Sequence, residues 1–278
     1  MPDQLLEKKD QLYPESLRQI SAPPNCLYVR GNKKLLCRAS ISIVGARKAS
    51  GYGEQATASI ASGLSRAGLI IVSGLAYGVD SWAHRAALGA GGKTVAVLAS
   101  GLDVPLPTWQ QELADEIVAK GGALVSEFAP KVQALKHHFL LRNRIIAGLS
   151  LGTIVVEARD KSGALVTANY ALESNKLVFA VPGDIDRETS IGPNRLIKQG
   201  AVLVRDAQDV LLELPESQIE STPQSQFLKL LKDHPFAVEE VADALTKTLP
   251  DALATLSQLE LDGRVLRLVD GRFALKQI

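Results

Sequence analysis

Six short, almost wholly apolar runs punctuate the first two-thirds of the chain: SISIV (40–44), LIIV (69–72), TVAVL (94–98), ALVS (123–126), TIVVE (153–157) and LVFAV (177–181). Strands that are apolar on both faces belong in a parallel sheet covered by helices on either side. Between the runs, Ala- and Leu-rich stretches with helical spacing occupy 53–67, 79–90, 108–120, 142–149 and 164–175. Regular alternation with short connections predicts an α/β fold built on a doubly wound, extended Rossmann-like parallel sheet. Ligands of such sheets bind beyond the carboxyl ends of the strands. There the sequence places Gly45-Ala46-Arg47, Ser73-Gly74, Ser100-Gly101, Ser126-Glu127 and Pro182-Gly183.

The alternation stops at ELPESQIESTPQS (213–225), a polar, Pro-containing stretch with the composition of a linker. Helical patterns follow at 227–233, 238–245 and 250–262, and VLRLVDGRFAL (265–275) reads as two strands around an Asp270-Gly271 turn. Three helices and a hairpin predict a small C-terminal winged helix-turn-helix domain, with a plain α+β cap as the alternative. The predicted organisation is a lead-in segment packing on the core (1–38), a Rossmann-like domain (39–212), a linker (213–225) and the winged helix (226–278).

Composition narrows the class. The 278 residues are 46 % apolar and 5 % aromatic, ordinary for a globular protein. No apolar run approaches the roughly 18 residues of a membrane span. The opening MPDQLLEKKDQ lacks the apolar centre of an export signal. Cys26 and Cys37 suit reduced thiols rather than a disulfide scaffold, and a cytoplasmic location is expected.

A formal net charge of +1 argues at first against a nucleic-acid partner. Its distribution argues otherwise. Ser16–Gly53 holds seven cations and no acid, and Phe128–Val156 holds four more and again no acid. The remainder of the chain therefore sums to −10. Segregation of this kind gives a near-neutral protein a basic face, unless neighbouring acids neutralise it.

Four loops carry candidate chemistry. In IVGARKASGYG (43–53), Gly45 suits a tight turn, the following helix start offers N–H groups to a phosphate, and Arg47 adds a forked cation. The spacing is not that of a dinucleotide fingerprint. In VSGLAYGVDSWAHRAAL (72–88), Asp80 is expected to cap its helix and His84 to be structural, since no carboxylate or nucleophile is spaced to serve it. In KHHFLLRNRIIAGLS (136–150), Lys136, Arg142 and Arg144 can neutralise phosphates. Phe139 lies between these cations, either as a stacking surface for a base or as a core aromatic. In VEARDKSGALVTANYAL (156–172), Ser162-Gly163 opens a helix that contains Thr167, a second anion cradle, and Glu157 ends its strand on the rim. Serine-hydrolase, Walker A and zinc spacings are absent.

Taken in order, these segments resemble the DNA processing protein A (DprA/Smf) family. The likeness is carried by YPESLRQISAPPNCLYVRGN (13–32), IVGARKASGYG, VSGLAYGVDSWAHRAAL and TVAVLASGLDVPLPTWQQEL (94–113). It continues through LVSEFAP (124–130), RNRIIAGLS (142–150), VVEARDKSGALVTANYAL (155–172), FAVPG (179–183) and GPNRLIKQGAVLV (192–204). The resemblance implies a non-catalytic protein, without cofactor or metal, that binds single-stranded DNA in a basic pocket and forms a homodimer. It also implies protection of incoming DNA and loading of the recombinase RecA during natural transformation. Arg47 matches the Arg of the family's Gly-Ser-Arg motif, which contacts phosphate. Ala46 stands where Ser is usual, removing a hydroxyl and leaving a backbone cradle with Gly45. Lys136 and Phe139 match the phosphate-binding and base-contacting positions. Gly74, Arg142, Asn143, Arg144, Ser162, Gly163 and Thr167 complete the expected DNA-binding set, and Asn194 and Leu203 are the expected dimer contacts. Many members carry a further N-terminal helical domain, which this chain is expected to lack.

Two rival readings differ in class. GLSLGTIVVEA (148–158) faintly echoes the PGGxGTxxE signature of nucleotide phosphoribohydrolases of the lysine-decarboxylase-like fold, with Glu157 as catalyst, but lacks the Pro and the paired glycines. A ligand-sensing transcription regulator would join a Rossmann sensor to a winged helix. The third C-terminal helix carries Asp251, Glu260 and Asp262 and no cation, a poor complement to phosphate. Only the wing, with Arg264, Arg267 and Arg272, is basic, so a partner-binding or regulatory role is expected of this domain.

Overall fold

The computed structural model describes residues 3–215 and, C-terminal to them, 227–276 without 229, 233 and 262. The chain divides into two compact units, Met1–Ile219 and Glu220–Ile278. The first is built on a nine-stranded sheet. Its strands are β1 (Gln4–Glu7), β2 (Cys26–Gly31), β3 (Ser40–Val44), β4 (Ile70–Ser73), β5 (Thr94–Val97), β6 (Ala123–Ser126), β7 (Gly152–Val155), β8 (Leu177–Ala180) and β9 (Val202–Leu203). The spatial order is β1-β2-β6-β5-β4-β3-β7-β8-β9, and every pair from β6 to β9 is parallel.

The central strand shows why the sheet forms. SISIV is buried along its whole length, and alternate residues face opposite layers. Ile41 and Ile43 pack with Ile60, Leu64 and Val79 in one layer. Each fully buried side chain of this kind contributes about 1.5–3 kcal/mol. The serines face the other layer without being orphaned. Ser40 Oγ donates to Leu149 O at 2.9 Å, and Ser42 Oγ pairs with Thr153 Oγ1 at 2.7 Å.

The covering helices are α1 (Glu15–Arg18), α2 (Gly51–Arg66), α3 (Val79–Gly89), α4 (Thr108–Ala119), α5 (Lys136–Leu149), α6 (Gly163–Glu173), α7 (Ile191–Lys198) and α8 (Ala207–Glu213). The helices expected at 53–67, 79–90, 108–120 and 164–175 lie within two residues of α2, α3, α4 and α6. Two expectations change. Residues 1–38 do not merely pack on the core: β1 pairs antiparallel with β2, and β2 antiparallel with β6, so the lead-in extends the sheet. The helix expected at 142–149 begins six residues earlier, at Lys136.

In the second unit, helices Val238–Ala244 and Leu249–Leu261 precede an antiparallel pair, β10 (Val265–Arg267) and β11 (Phe273–Leu275). Gly271 takes φ 86° in the turn, and Phe236 bridges to Phe273 to complete a winged-helix arrangement. Phe227, Leu231, Val241, Leu256, Leu259 and Phe273 form its own core. The expected linker 213–225 lies largely outside the described residues, as do Asp262 and parts of the helix expected at 227–233.

Candidate functional site

Strand β3 has β4 on one side and β7 on the other, so the winding reverses between β3 and β7. A crevice must open beyond the carboxyl ends at such a switch point. A cavity of about 550 Å³ lies there, walled by the Gly45–Arg47 loop, the start of α6 and the first two turns of α5. It gathers Gly45, Ala46, Arg47, Lys136, Phe139, Arg142, Asn143, Ser162, Gly163 and Thr167. Gly74 and Arg144 are not among its walls.

Helix α5 supplies one wall because of where it starts. The Leu135 N–H donates to His138 Nδ1 at 3.3 Å, and buried His138 stacks on Phe128 at 4.0 Å. This closes the first turn without a Ser, Thr, Asp or Asn cap. Lys136, Phe139 and Asn143 then share one face and point at the cavity. At the other end of α5, Lys176 Nζ donates to Ala147 O at 3.1 Å and also to Gly148 O, a cation placed on the negative end of the helix. Burial pulls this ammonium down to about 8.

Phe139 is 38 % exposed and is therefore not a core residue. The Arg47 guanidinium lies 5.5 Å above its ring, a cation–π arrangement that fixes both groups. Arg47 is exposed, and no carboxylate forms an ion pair with it among the described residues. Across the cavity Ser162 caps α6, accepting from Ala164 N–H at 3.2 Å, and Asn143 Nδ2 holds Gly163 O at 3.1 Å.

The structure corrects several expectations. The N-terminus of α2 is not an open phosphate cradle. Glu157, 1 % exposed, accepts from Ser50 N–H at 2.8 Å and from Ser50 Oγ–H at 2.7 Å, so a carboxylate of the protein already sits at the positive end of that helix. The Ala46 N–H donates to Glu157 O at 2.7 Å and is not available either. Gly45 has no left-handed backbone. It is required by close packing, since a Cβ there would lie 2.6 Å from Val79 Cγ2. Glycine conformation matters instead at Gly78, φ 82°, where a Cβ would lie 2.6 Å from Arg47 O.

Among the cations, Arg142 is buried rather than presented. Nη1 donates to Val97 O and Nε to Asn143 Oδ1 at 3.3 Å. It faces Asp80 across Gly74, whose missing side chain leaves the room: a Cβ there would lie 2.6 Å from Asp80 Oδ2 and 2.7 Å from Arg142 Nη1. Asp80 does not cap α3, because the N-cap is Gly78 and makes no side-chain bond. Burial raises the Asp80 carboxyl to about 6, against the pull of Arg142, and lowers Arg142 to about 10. Arg144 clasps Glu127 through two bonds of 3.1 and 2.6 Å. Arg30 is neutralised by Asp3 and Asp103. The two acid-free stretches are thus partly countered by acids from elsewhere, leaving Arg47 and Lys136 as the exposed cations at the cavity, above buried Arg142.

His84 is fully buried between Thr94 Oγ1 at 2.6 Å and Gly74 O at 2.7 Å, and desolvation pushes its pKa down to about 4. Asn194 spends its amide on the Gly183 backbone, at 3.2 and 2.8 Å. Leu203 is 42 % exposed on β9, the edge strand of the sheet. Among the described residues no cluster of His, Cys, Asp or Glu could hold a metal, and no helix is long and apolar enough to cross a membrane. The Ser50–Glu157 pair escapes sequence reasoning because its members are remote in the chain and neither has a distinctive local spacing.

Both parts of the chain match known protein families. The family described as DNA recombination-mediator protein A matches residues 4–215, and the DprA winged helix domain matches residues 212–271. Protein Smf of Escherichia coli K12 is 37 % identical over 98 % of this chain and 78 % of its own. DNA processing protein DprA of Streptococcus pneumoniae is 45 % identical over 73 % of this chain and 72 % of its own. The crystal structure of that S. pneumoniae protein superposes with a TM-score of 0.72 at 43 % identity, covering 76 % of this chain and 74 % of the other. A Helicobacter pylori DNA processing protein A, solved to describe its single-stranded DNA binding mode, superposes with a TM-score of 0.68 at 31 % identity, covering 76 % and 95 %.

Proposed function

We propose, since the chain belongs to the DNA recombination-mediator protein A family, that its switch-point cavity holds single-stranded DNA. On this reading the protein is a non-catalytic, cytoplasmic recombination mediator that shields incoming strands and loads RecA during natural transformation. One observation carries the DNA reading: Arg47, Lys136 and Phe139 line a single cavity, with Arg47 poised over Phe139. Two cations for phosphates beside an aromatic face for a base are what a sequence-tolerant single-strand binder needs. Asn143 and the start of α6 shape the opposite wall, while Arg142 acts from below by fixing Asn143. The H. pylori relative's single-stranded DNA binding supports the assignment.

Fluorescence anisotropy with single- and double-stranded oligonucleotides tests it. The single strand is expected to bind preferentially, and Arg47→Ala and Lys136→Ala each to weaken it about tenfold. Equal affinity for both forms, or no loss in either variant, overturns the reading.

The homodimer is proposed to form through the exposed edge of β9, with Leu203 in the contact and Asn194 shaping the adjoining Gly183 loop. Light scattering on Leu203→Glu checks this, with a monomer expected. RecA delivery is read out by RecA-filament formation on DNA coated with a single-strand-binding protein, with and without this protein. A phosphoribohydrolase reading draws nothing from Glu157, whose two oxygens are both engaged by Ser50. No ribose 5-phosphate is expected from AMP.

A further inference from the structure

A second cavity, of about 480 Å³, opens beside the first and is not accounted for by the residues discussed so far. Arg47, Ala76, Phe139 and Arg142 line both, so the Arg47–Phe139 pair stands as a partition between two adjoining chambers. The far wall of the second chamber is aromatic. Tyr77, from the loop after β4, is 62 % exposed. Trp109, in the first turn of α4, meets it edge-to-face with ring centroids 5.4 Å apart. Such a pair is held rigid by its own geometry while leaving ring surface open.

Exposed aromatics on a monomer usually serve to stabilise a fold or to meet a ligand. Tyr77 lies outside every hydrophobic cluster of the first unit, and its partner Trp109 lies outside them as well. The chamber also offers polar edges. The Gln110 side-chain amide nitrogen is held by Leu75 O, leaving its oxygen as an acceptor, and Ser100 and Gln133 complete the lining. Its walls carry no acidic residue.

We propose that this chamber is a second base-stacking subsite, in which a nucleobase of the same single strand packs against Trp109 and Tyr77. The phosphate linking it to the nucleoside in the first cavity lies over Arg47 at the partition. The proposal rests on the single-strand reading given above and extends it from one base position to two. It is carried by continuity, because the two chambers share the cation and the ring that divide them. Aromatic stacking tolerates any base, so the subsite adds affinity and reach rather than sequence preference.

The test exploits the chain's two tryptophans, Trp82 and Trp109. In Trp82→Phe, Trp109 is the sole tryptophan, and its fluorescence is expected to be quenched in step with binding of a thymidine dodecanucleotide. In the full chain, Trp109→Ala is expected to weaken that oligonucleotide roughly tenfold, and Trp109→Phe to restore most of the loss. Tyr77→Ala is expected to fall between them. Binding of thymidine 5′-monophosphate, too short to reach both chambers, is expected to be unchanged by Trp109→Ala. If Lys136→Ala weakens the oligonucleotide while Trp109→Ala does not, the second subsite is refuted and the first cavity stands. If neither variant changes affinity, or no single strand binds, the underlying reading fails and the subsite with it.

Discussion

His84 shows how far a single residue's role follows from its surroundings. Its ring is buried between a hydroxyl and a carbonyl, and burial holds its pKa near 4, below the ordinary value of 6.5. A group whose folded pKa is depressed contributes stability that is complete above its unfolded value and is lost as pH falls toward the folded one. The loss from this residue amounts to about 3 kcal/mol between pH 6.5 and 4. Asp80 has the opposite sign, since its raised pKa makes the fold less stable as pH climbs from about 4 to about 6. Comparing wild type with His84→Gln in urea titrations cancels the Asp80 part. The stability difference, wild type minus variant, is expected to rise with pH from 4 to 6.5 and then level off.

Gly78 acts on the site without touching a ligand. Its backbone angle suits glycine alone, and a Cβ there would press on the Arg47 carbonyl. Gly78→Ala is expected to weaken single-strand binding at least as much as Arg47→Ala, and also to lower Tm, a drop that Arg47→Ala does not produce. Anisotropy and calorimetry on the two variants distinguish these outcomes. The exposed residues at the cavity that are legible in the sequence are those whose chemistry is local. Lys136 and Phe139 stand out as a cation and an aromatic in an acid-free run. Arg142 does not differ from them on that scale. Only the fold reveals that its partners are Val97, Asn143 and Asp80, most of them distant in the chain.

At the scale of elements, apolar runs and helical spacing locate six of the seven parallel strands, all but the two-residue β9, and four of the covering helices within two residues. The miss at α5 has a definite cause. Its cap is Leu135, closed by a histidine, and KHH reads as a polar loop when the helix-start signals are Ser, Thr, Asp and Asn. The strands β1 and β2 were hidden for another reason: an edge added antiparallel to a parallel sheet needs no crossover helix to announce it. Helix α2 is anchored at its start by Ser50, which receives Gly53 N–H at 3.3 Å while donating to Glu157. Ser50→Ala is expected to cost about 1–2 kcal/mol. Combined with Glu157→Gln it should cost less than the sum of the single changes, because both weaken the one bond from Ser50 Oγ–H to the Glu157 carboxylate. A double-mutant cycle by chemical denaturation measures the difference.

For the whole molecule, a net charge of +1 proves compatible with a charged site because neutralisation is selective. Arg30 and Arg144 are consumed by acids, whereas Arg47 and Lys136 stay at the opening. On the proposed reading, two cations meet phosphates at this cavity, which gives a shallow salt dependence. Each single-strand phosphate contact contributes a slope of about −0.7 in log K against log salt. The wild-type slope is therefore expected near −1.4, and Arg47→Ala or Lys136→Ala should each remove about 0.7 of it. A slope several times steeper would show that the DNA contacts far more of the surface than this cavity.

The carboxylate of Glu157 at the head of α2 has one more consequence, for competition inside a cell. Free nucleotides carry the same phosphates as a DNA strand. A helix start with vacant N–H groups would gather them and block the groove. Here the start of α2 is filled by the chain itself, so a lone mononucleotide meets Arg47, Lys136 and the start of α6 but gains nothing from α2. In a displacement titration, AMP is expected to release a bound oligonucleotide only at concentrations far above those at which a second oligonucleotide does. On the proposed reading the groove thus rewards length in its ligand: a polymer gathers contacts along it that no monomer can supply.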